Sequence, residues 1–203
     1  MKKPSQRLTF EERERLILEA ATQIFSQRGF QGTTTKSLAD RSGINEALLF
    51  RHFATKEALY TALLRNKLSK WTHRVLPDLE KKLPADLRAA LKKIAQLVVS
   101  ENHKDPTFLR MMLFSALENH ELARLFFKQR LPLISFMEDF FGKRVKQRQV
   151  RRLDPAVLAR TFFGLLHHYI LVTQLFQVQT YYPLPEKKML GRFVEIFVKG
   201  ISP

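Results

Sequence analysis

Apolar residues along the chain recur at helical spacing, at i, i+3 and i+4, and no run alternates with a period of two for long enough to propose a sheet. The expected fold class is all-α. The first amphipathic segment opens at Thr9-Phe10-Glu11-Glu12, the pattern of a capping box, in which a hydroxyl satisfies an orphan helix N–H and a glutamate three residues on reaches back. Behind it, Leu16, Ala20 and Ile24 form one apolar stripe and Ile17, Ala21 and Phe25 its neighbour, up to Gly29, a natural left-handed stop. The run Thr33-Thr34-Thr35 then caps a short second helix from about Lys36 to Ser42, Gly43-Ile44 turns the chain, and Asn45 is placed to cap a third helix through about Phe53.

A fourth helix starts at Lys56-Glu57-Ala58-Leu59-Tyr60 and is expected to end near Leu76, where Pro77 follows. Punctuation at Pro84, Asp105-Pro106, Asn119-His120, the basic stretch 143–152, Asp154-Pro155 and Pro183-Leu184-Pro185 predicts further helices near 86–101, 106–118, 121–141, 155–178 and 186–200. That makes about nine helices without an internal repeat. A shift of composition near residue 56 divides them into an N-terminal three-helix domain over 10–56 and a larger C-terminal helical domain over 57–203, joined by the fourth helix.

The chain has 203 residues, 45% of them hydrophobic and 17 of them Phe, which is ample for a core and excludes a disordered basic tail. With 7 Gly and 9 Pro, low-complexity and collagen-like chains are excluded too. The absence of cysteine removes disulfide scaffolds, thiol nucleophiles and Cys-ligated zinc. Lys2 and Lys3 are followed by polar residues rather than an apolar signal segment, so the expected location is the cytoplasm.

Between Thr161 and Pro185 lie 25 residues without Asp, Glu, Lys or Arg, long enough to cross a bilayer. A membrane-associated helical protein anchored through 161–185 is therefore an alternative. Against it, His167, His168, Gln174, Gln177 and Gln179 are scattered around the helical wheel and would each need a partner in lipid, so a helix buried within protein, with no membrane partner, is the better expectation.

Six histidines invite a search for metal or acid–base chemistry. No His-Glu-x-x-His pair occurs, and Glu118, His120 and Glu121 splay around a helix or turn, so no metal site is expected. Nor is there a Gly-rich phosphate loop, a nucleophile elbow or a carboxylate pair. The chain is expected to be neither an enzyme nor a cofactor carrier.

From Leu38 to Leu49 the spacing suits a helix-turn-helix: Ala39 is small where two helices cross, Gly43 can take the positive φ of the turn, and Leu38, Ile44 and Leu49 lock the pair onto the preceding helix. Such a pair presents its second helix outward, to the roughly 12 Å major groove of DNA, although ordinary helical hairpins share the pattern. The longer string GFQGTTTKSLADRSGINEALLFRHFATKEALYTAL, residues 29–63, resembles the DNA-binding domain of the TetR/AcrR family of transcriptional regulators. Gly29-Phe30, the threonine pair before Lys36, Leu38-Ala39, Gly43-Ile44, Leu49-Phe50, His52-Phe53 and Lys56-Glu57-Ala58-Leu59 carry the match. It centres on 34–53 and extends to about residue 71 through the linking helix.

The resemblance implies a homodimeric regulator, a repressor, that binds a near-palindromic double-stranded DNA operator and is released by a small molecule. By the same resemblance, Thr34 and Thr35 approach a phosphate and Lys36 a base edge or the backbone. Asn45, Glu46, Ala47 and Leu48 form the leading, groove-facing end of the third helix, Phe50, Arg51 and His52 lie along the groove, and Lys56 grips a phosphate. Three positions depart from the family's pattern. Phe50 lacks the hydroxyl of the usual Tyr, Leu48 offers a thymine methyl only apolar contact, and Glu46 aims an acid at a polyanion. Glu46 is useful as an acceptor from cytosine, as an orienter of Arg51, or as a favourable charge at a helix N-terminus.

In the C-terminal domain, candidate lining for an effector comes from Trp71, Leu91, Phe108, Met111 and Met112, and from Phe114, Phe136, Phe140 and His167. Met and Phe adapt to irregular apolar ligands and equally fill plain core. No unpaired acid stands out among them, so a neutral or anionic apolar effector is expected. Phe162, Phe163, Leu166, Ile170 and Thr173, with Phe193 and Phe197, are the candidate dimer interface, because a helix without a polar face needs partners around it; the alternative is that these helices only fill the core of the single chain.

The net charge of +16 stands apart from these motifs. Residues 1–60 hold 10 basic and 7 acidic side chains, net +3, and the remainder is net +13. The densest basic segment, Lys143, Arg144, Lys146, Arg148, Arg151 and Arg152, is expected to be a solvated loop.

Overall fold

A computed structural model describes residues 8–118, 122–177, 180, 181 and 185–203. The expected breaks at Asn119-His120 and Pro183-Leu184, and the side chain of Trp71, lie outside the described residues. Among those described, the fold is all-α, in nine helices: α1 (Phe10–Arg28), α2 (Thr35–Arg41), α3 (Glu46–His52), α4 (Lys56–Lys82), α5 (Leu87–Lys104), α6 (Pro106–Leu117), α7 (Leu122–Lys146), α8 (Pro155–Leu175) and α9 (Glu186–Ile201). The Thr9 capping box forms as expected: Thr9 Oγ1 accepts from Glu12 N at 3.1 Å and the Glu12 carboxylate accepts from Thr9 N at 2.8 Å.

Four helix ends differ from expectation by three residues or more, α5 running on to Lys104 where 101 is expected. Helix α4 does not stop at Leu76 but runs through Pro77 to Lys82. A proline removes one N–H and displaces one carbonyl, which a long helix absorbs as a local defect. Helix α7 reaches Lys146, so Lys143, Arg144 and Lys146 lie in its last turn, not in a loop, where cations meet the negative end of the helix dipole. Helix α8 ends at Leu175, with Phe176 N–H bonded to Val172 O, so the charge-free run is not one continuous helix. By length and composition, α8 is long and apolar enough to cross a membrane.

The chain divides into two compact units, the first comprising the chain up to Lys67 with Arg110–Phe126, the second Leu68–Leu109 with Phe127–Pro203. In the first, Ile17, Ala21 and Phe25 form the inner stripe of α1, while Leu16 of the neighbouring stripe remains 38% exposed. Phe25 and Phe30 meet the buried Tyr60 ring edge-on, at centroid distances of 4.7 and 5.3 Å. Gly29 ends α1 at φ 70° and ψ −176°, a conformation essentially confined to glycine.

Polar bonds tie α6 to this arrangement. Arg110 Nε donates to Ser26 O at 2.7 Å, Tyr60 Oη donates to Met111 O at 3.1 Å, and the Glu118 carboxylate accepts from Phe30 N at 3.1 Å and Gln31 N at 3.3 Å. Burial pushes the Tyr60 phenol up to about 12, with the Glu118 charge adding to the effect and the Ser115 hydrogen bond opposing it.

In the second unit α5 packs against both α8 and α9. Its buried stripe runs through Leu91, Ile94, Ala95, Val98 and Val99. Phe162 of α8 and Phe141 of α7 each lie against Phe197 of α9, at 5.2 and 5.9 Å between ring centroids. Glu101 is a buried carboxylate, 4% exposed, held by Arg74 Nε at 2.9 Å and by Lys104.

Candidate nucleic-acid interface

The turn between α2 and α3 follows from its sequence. Thr34 Oγ1 accepts from Ser37 N at 3.1 Å to start α2, and Asn45 Oδ1 accepts from Leu48 N at 2.8 Å to start α3. Between them Gly43, at φ 66°, lets Ile44 N donate to Ala39 O at 3.1 Å and Gly43 N to Asp40 O at 3.2 Å, the paired bonds of a Schellman motif. Leu38 and Ala39 of α2 and Leu49 of α3 are buried, Leu49 to 2% exposure. With Leu49 inward, α3 turns Ala47, Phe50 and Arg51 to solvent, Phe50 at 43% exposure, and Asn45 and Lys36 are exposed as well. This places one protruding helix end, with short residues leading and an arginine behind, in the form a major groove accepts. Leu48 is half-buried at its flank.

Four of the sequence-predicted residues take up other work. Thr35 Oγ1 donates to Glu46 Oε2 at 2.7 Å, so its proton is directed to α3 and not to a phosphate. Glu46 thereby sits in the first turn of α3 as the acceptor of an α2–α3 strut. Lys56 does not reach outward: its ammonium donates to Phe30 O at 3.0 Å and Thr33 O at 2.9 Å and lies 4.2 Å from the Phe30 ring centroid. His52 stacks on Phe10 at 4.1 Å instead of lying along the groove. Thr34, with only its oxygen occupied, retains a hydroxyl proton at the exposed start of α2. Sequence reasoning missed Glu118, Arg110 and Phe10 as supports of this domain, because the first two act across 88 and 84 positions of chain.

The effector candidates are divided between the two units. Met111, Met112 and Phe114 belong to the first, whereas Leu91, Phe108, Phe136, Phe140 and His167 belong to the second. Leu91 and Met111 are fully buried, Phe108 and Phe140 nearly so, and Met112, Phe114 and Phe136 half-buried. The Arg144 guanidinium covers one face of the Phe140 ring at 3.5 Å. His167 is a correction: it is exposed, beside the Phe163 ring at 6.2 Å between ring centroids.

Five of the seven dimer candidates need correction as well. Phe162, Leu166 and Ile170 are buried within the unit's own core, and Phe163 and Phe197 almost completely, which leaves them no surface for a second chain. Phe193 and Thr173 are half-buried, Thr173 donating to Tyr169 O at 2.8 Å. The outward stripe of α8 is instead Val157, Thr161, Gly164 and His168. That of α9 is Met189, Phe193, Ile196 and Gly200.

Residues 17–63 match the family model of bacterial regulatory proteins, tetR family, and residues 85–199 match that of the AefR-like transcriptional repressor C-terminal domain. The chain is 29% identical over 191 residues to the HTH-type transcriptional regulator YvkB of Bacillus subtilis (strain 168), covering 92% of this chain and 95% of that protein. It is 27% identical over 196 residues to the HTH-type transcriptional regulator RutR of Escherichia coli (strain K12), covering 94% and 91%. Among solved structures, AibR in complex with isovaleryl coenzyme A and operator DNA shares the fold at a TM-score of 0.72 and 21% identity, over 91% of this chain and 97% of that chain. A helix-turn-helix of this geometry, followed by a helical C-terminal region that matches its own family model, assigns the chain to the TetR family of bacterial transcriptional regulators.

Proposed function

We propose that the chain is a cytoplasmic, dimeric one-component repressor that binds a near-palindromic operator through α2 and α3 and is released by a small apolar effector. The observation that carries this is α3 itself: one buried anchor, Leu49, a capped N-terminus at Asn45, and an outward face of Ala47, Phe50 and Arg51. Arg51 reads a base edge, Lys36 and Thr34 meet phosphates, and the first-turn amides of α2 add their partial positive charge. Residues 10–56 perform this binding, and 57–203 serve effector binding and dimerisation.

Two copies join through the outward stripes of α8 and α9. Gly164 and Gly200 support this, because a Cβ at either would meet nothing within 4 Å in the single chain. Glycine inside a helix costs about 1 kcal/mol relative to alanine, a cost offset where a second helix approaches closely. A dimer reads two half-sites about one DNA turn apart, so an effector that alters their separation releases the DNA. The effector is neutral or anionic and largely apolar. AibR, a fold neighbour, is seen with isovaleryl coenzyme A, an apolar acyl group on an anionic carrier, which is of that class.

The test is a mobility shift with DNA upstream of the chain's own gene, at low salt, alongside random-site selection. A folded dimer without sequence preference in either would sink the proposal.

A further inference from the structure

Helix α7 ends on a turn with the same hydrogen bonding as the turn of the helix-turn-helix. Gln149 N donates to Arg144 O at 2.9 Å and Arg148 N to Val145 O at 3.1 Å, the two bonds of a Schellman motif. The left-handed position of that motif, Gly43 in the first turn, is occupied by Arg148 at φ 57°. An arginine there carries strain that glycine would remove. The turn is fixed below by the buried Val150, by Arg151 N donating to Ile201 O at 2.8 Å, and by the Arg151 guanidinium on Gly200 O.

Lys143 and Lys146 precede Arg148 in the chain and Arg152 follows it, all exposed, with Gln147 and Gln149 flanking Arg148. None of these four cations has a carboxylate partner among the described residues. The nearest acid in sequence, Asp154, is used on Ala156 N at 2.7 Å to cap α8. A helix C-terminus favours a cation or two, but it does not call for a strained, unpaired arginine at the one position where glycine fits best.

We propose that this turn is a second anion surface of the chain, which holds the phosphate backbone of duplex DNA without reading its sequence. The composition selects this occupant. Within 143–152 the only apolar side chains, Val145 and Val150, are half-buried and buried, and Leu153, next to Arg152 and 39% exposed, is a lone apolar side chain rather than the broad apolar face that a lipid surface takes or the aromatic anchor of a protein hot spot. Guanidinium and ammonium groups interleaved with glutamine amides on a rigid turn match a repeating row of phosphates. The surface lies on a different element from α3 and acts independently of it.

The full chain is titrated into a short fluorescent duplex of scrambled sequence between about 50 and 200 mM NaCl, and log K is plotted against log salt. Arg148→Gly should flatten the slope by about 0.9 per chain, and Lys143→Gln/Lys146→Gln/Arg148→Gly/Arg152→Gln by about 3 to 4. Because relief of the left-handed strain should raise the Tm of Arg148→Gly by a few degrees, its weaker binding would not come from misfolding. Arg51→Ala, which weakens operator preference, should keep the part of the slope that the turn supplies. Failure of that variant to weaken operator preference would bear on the helix-turn-helix alone. Unchanged slopes in both turn variants overturn the proposal. It is also overturned if the turn variants lose binding to phosphatidylserine vesicles or to poly-glutamate while scrambled duplex binding is unaffected.

Discussion

The Glu118 carboxylate occupies the space that a side chain at Gly29 would fill: a Cβ built there overlaps Glu118 Oε1 and comes within 2.8 Å of the Phe114 ring. The same carboxylate accepts from Phe30 N at 3.1 Å and Gln31 N at 3.3 Å, so the end of α1 and the segment after α6 are joined through one missing side chain. Gly29→Ala should destabilise the first unit by about 2–4 kcal/mol, from backbone strain together with displacement of a charge-assisted hydrogen bond. Glu118→Ala relieves the overlap but not the strain, so the double variant should lose less than the sum of the two single losses. Strict additivity in urea unfolding would show that the two positions do not interact.

Lys56 should behave as a structural cation. Lys56→Met removes donors to Phe30 O and Thr33 O and should cost about 1–2 kcal/mol of stability while leaving the salt dependence of DNA binding unchanged. Lys36→Gln should do the opposite, flattening the slope by about 0.9 per chain. Urea unfolding and anisotropy titrations separate the two, and a reversed pattern would restore Lys56 to the phosphate.

Tyr60 gives the first unit an alkaline limit. Its folded pKa, about 12, lies above the ordinary 10.0, so as pH rises the unfolded chain gives up the phenolic proton first. The associated stability is fully present below pH 10 and is lost as pH rises from 10 to about 12, by roughly 2–3 kcal/mol. Tyr60→Phe has no such proton. The gap between wild type and this variant should narrow over that window in urea melts, and a constant gap would remove Tyr60 as the cause.

Association and core packing should separate cleanly on α8 and α9. Ile196 is 68% exposed and Gly164 is open to solvent, so Ile196→Glu and Gly164→Leu should weaken a dimer in sedimentation without lowering the stability of the single chain. Phe162→Ala, at a fully buried site, should cost about 3–5 kcal/mol of folding stability. Dissociation by Phe162→Ala alone would contradict this assignment.

What was legible in the sequence was local. Thr9, Thr34, Asn45 and Gly43 are each recognisable because a cap or a left-handed turn needs its own residue type within three or four positions, and all four do that work. Phe162, Leu166 and Ile170 share one stripe of α8, but on a helix apolar on most sides the sequence does not say whether that stripe meets the chain's own core or a second copy; packing against α5 and Phe197 turns it inward. The destination of a long flexible side chain was equally hidden: Lys56 reaches carbonyls 26 and 23 positions away, which spacing alone does not reveal. The same limit hides the Thr35–Glu46 strut, which joins two side chains 11 positions apart.

That strut, together with the Asn45 cap, the buried Leu49 and the stack of His52 on Phe10, anchors α3 and leaves the side chains of Ala47 and Arg51 exposed. Residues so exposed can be exchanged at little cost to folding, since surface changes away from caps and cores usually stay within about ±0.5 kcal/mol. If α3 reads an operator as proposed, its preference can therefore drift by single substitutions at these exposed positions while the scaffold persists.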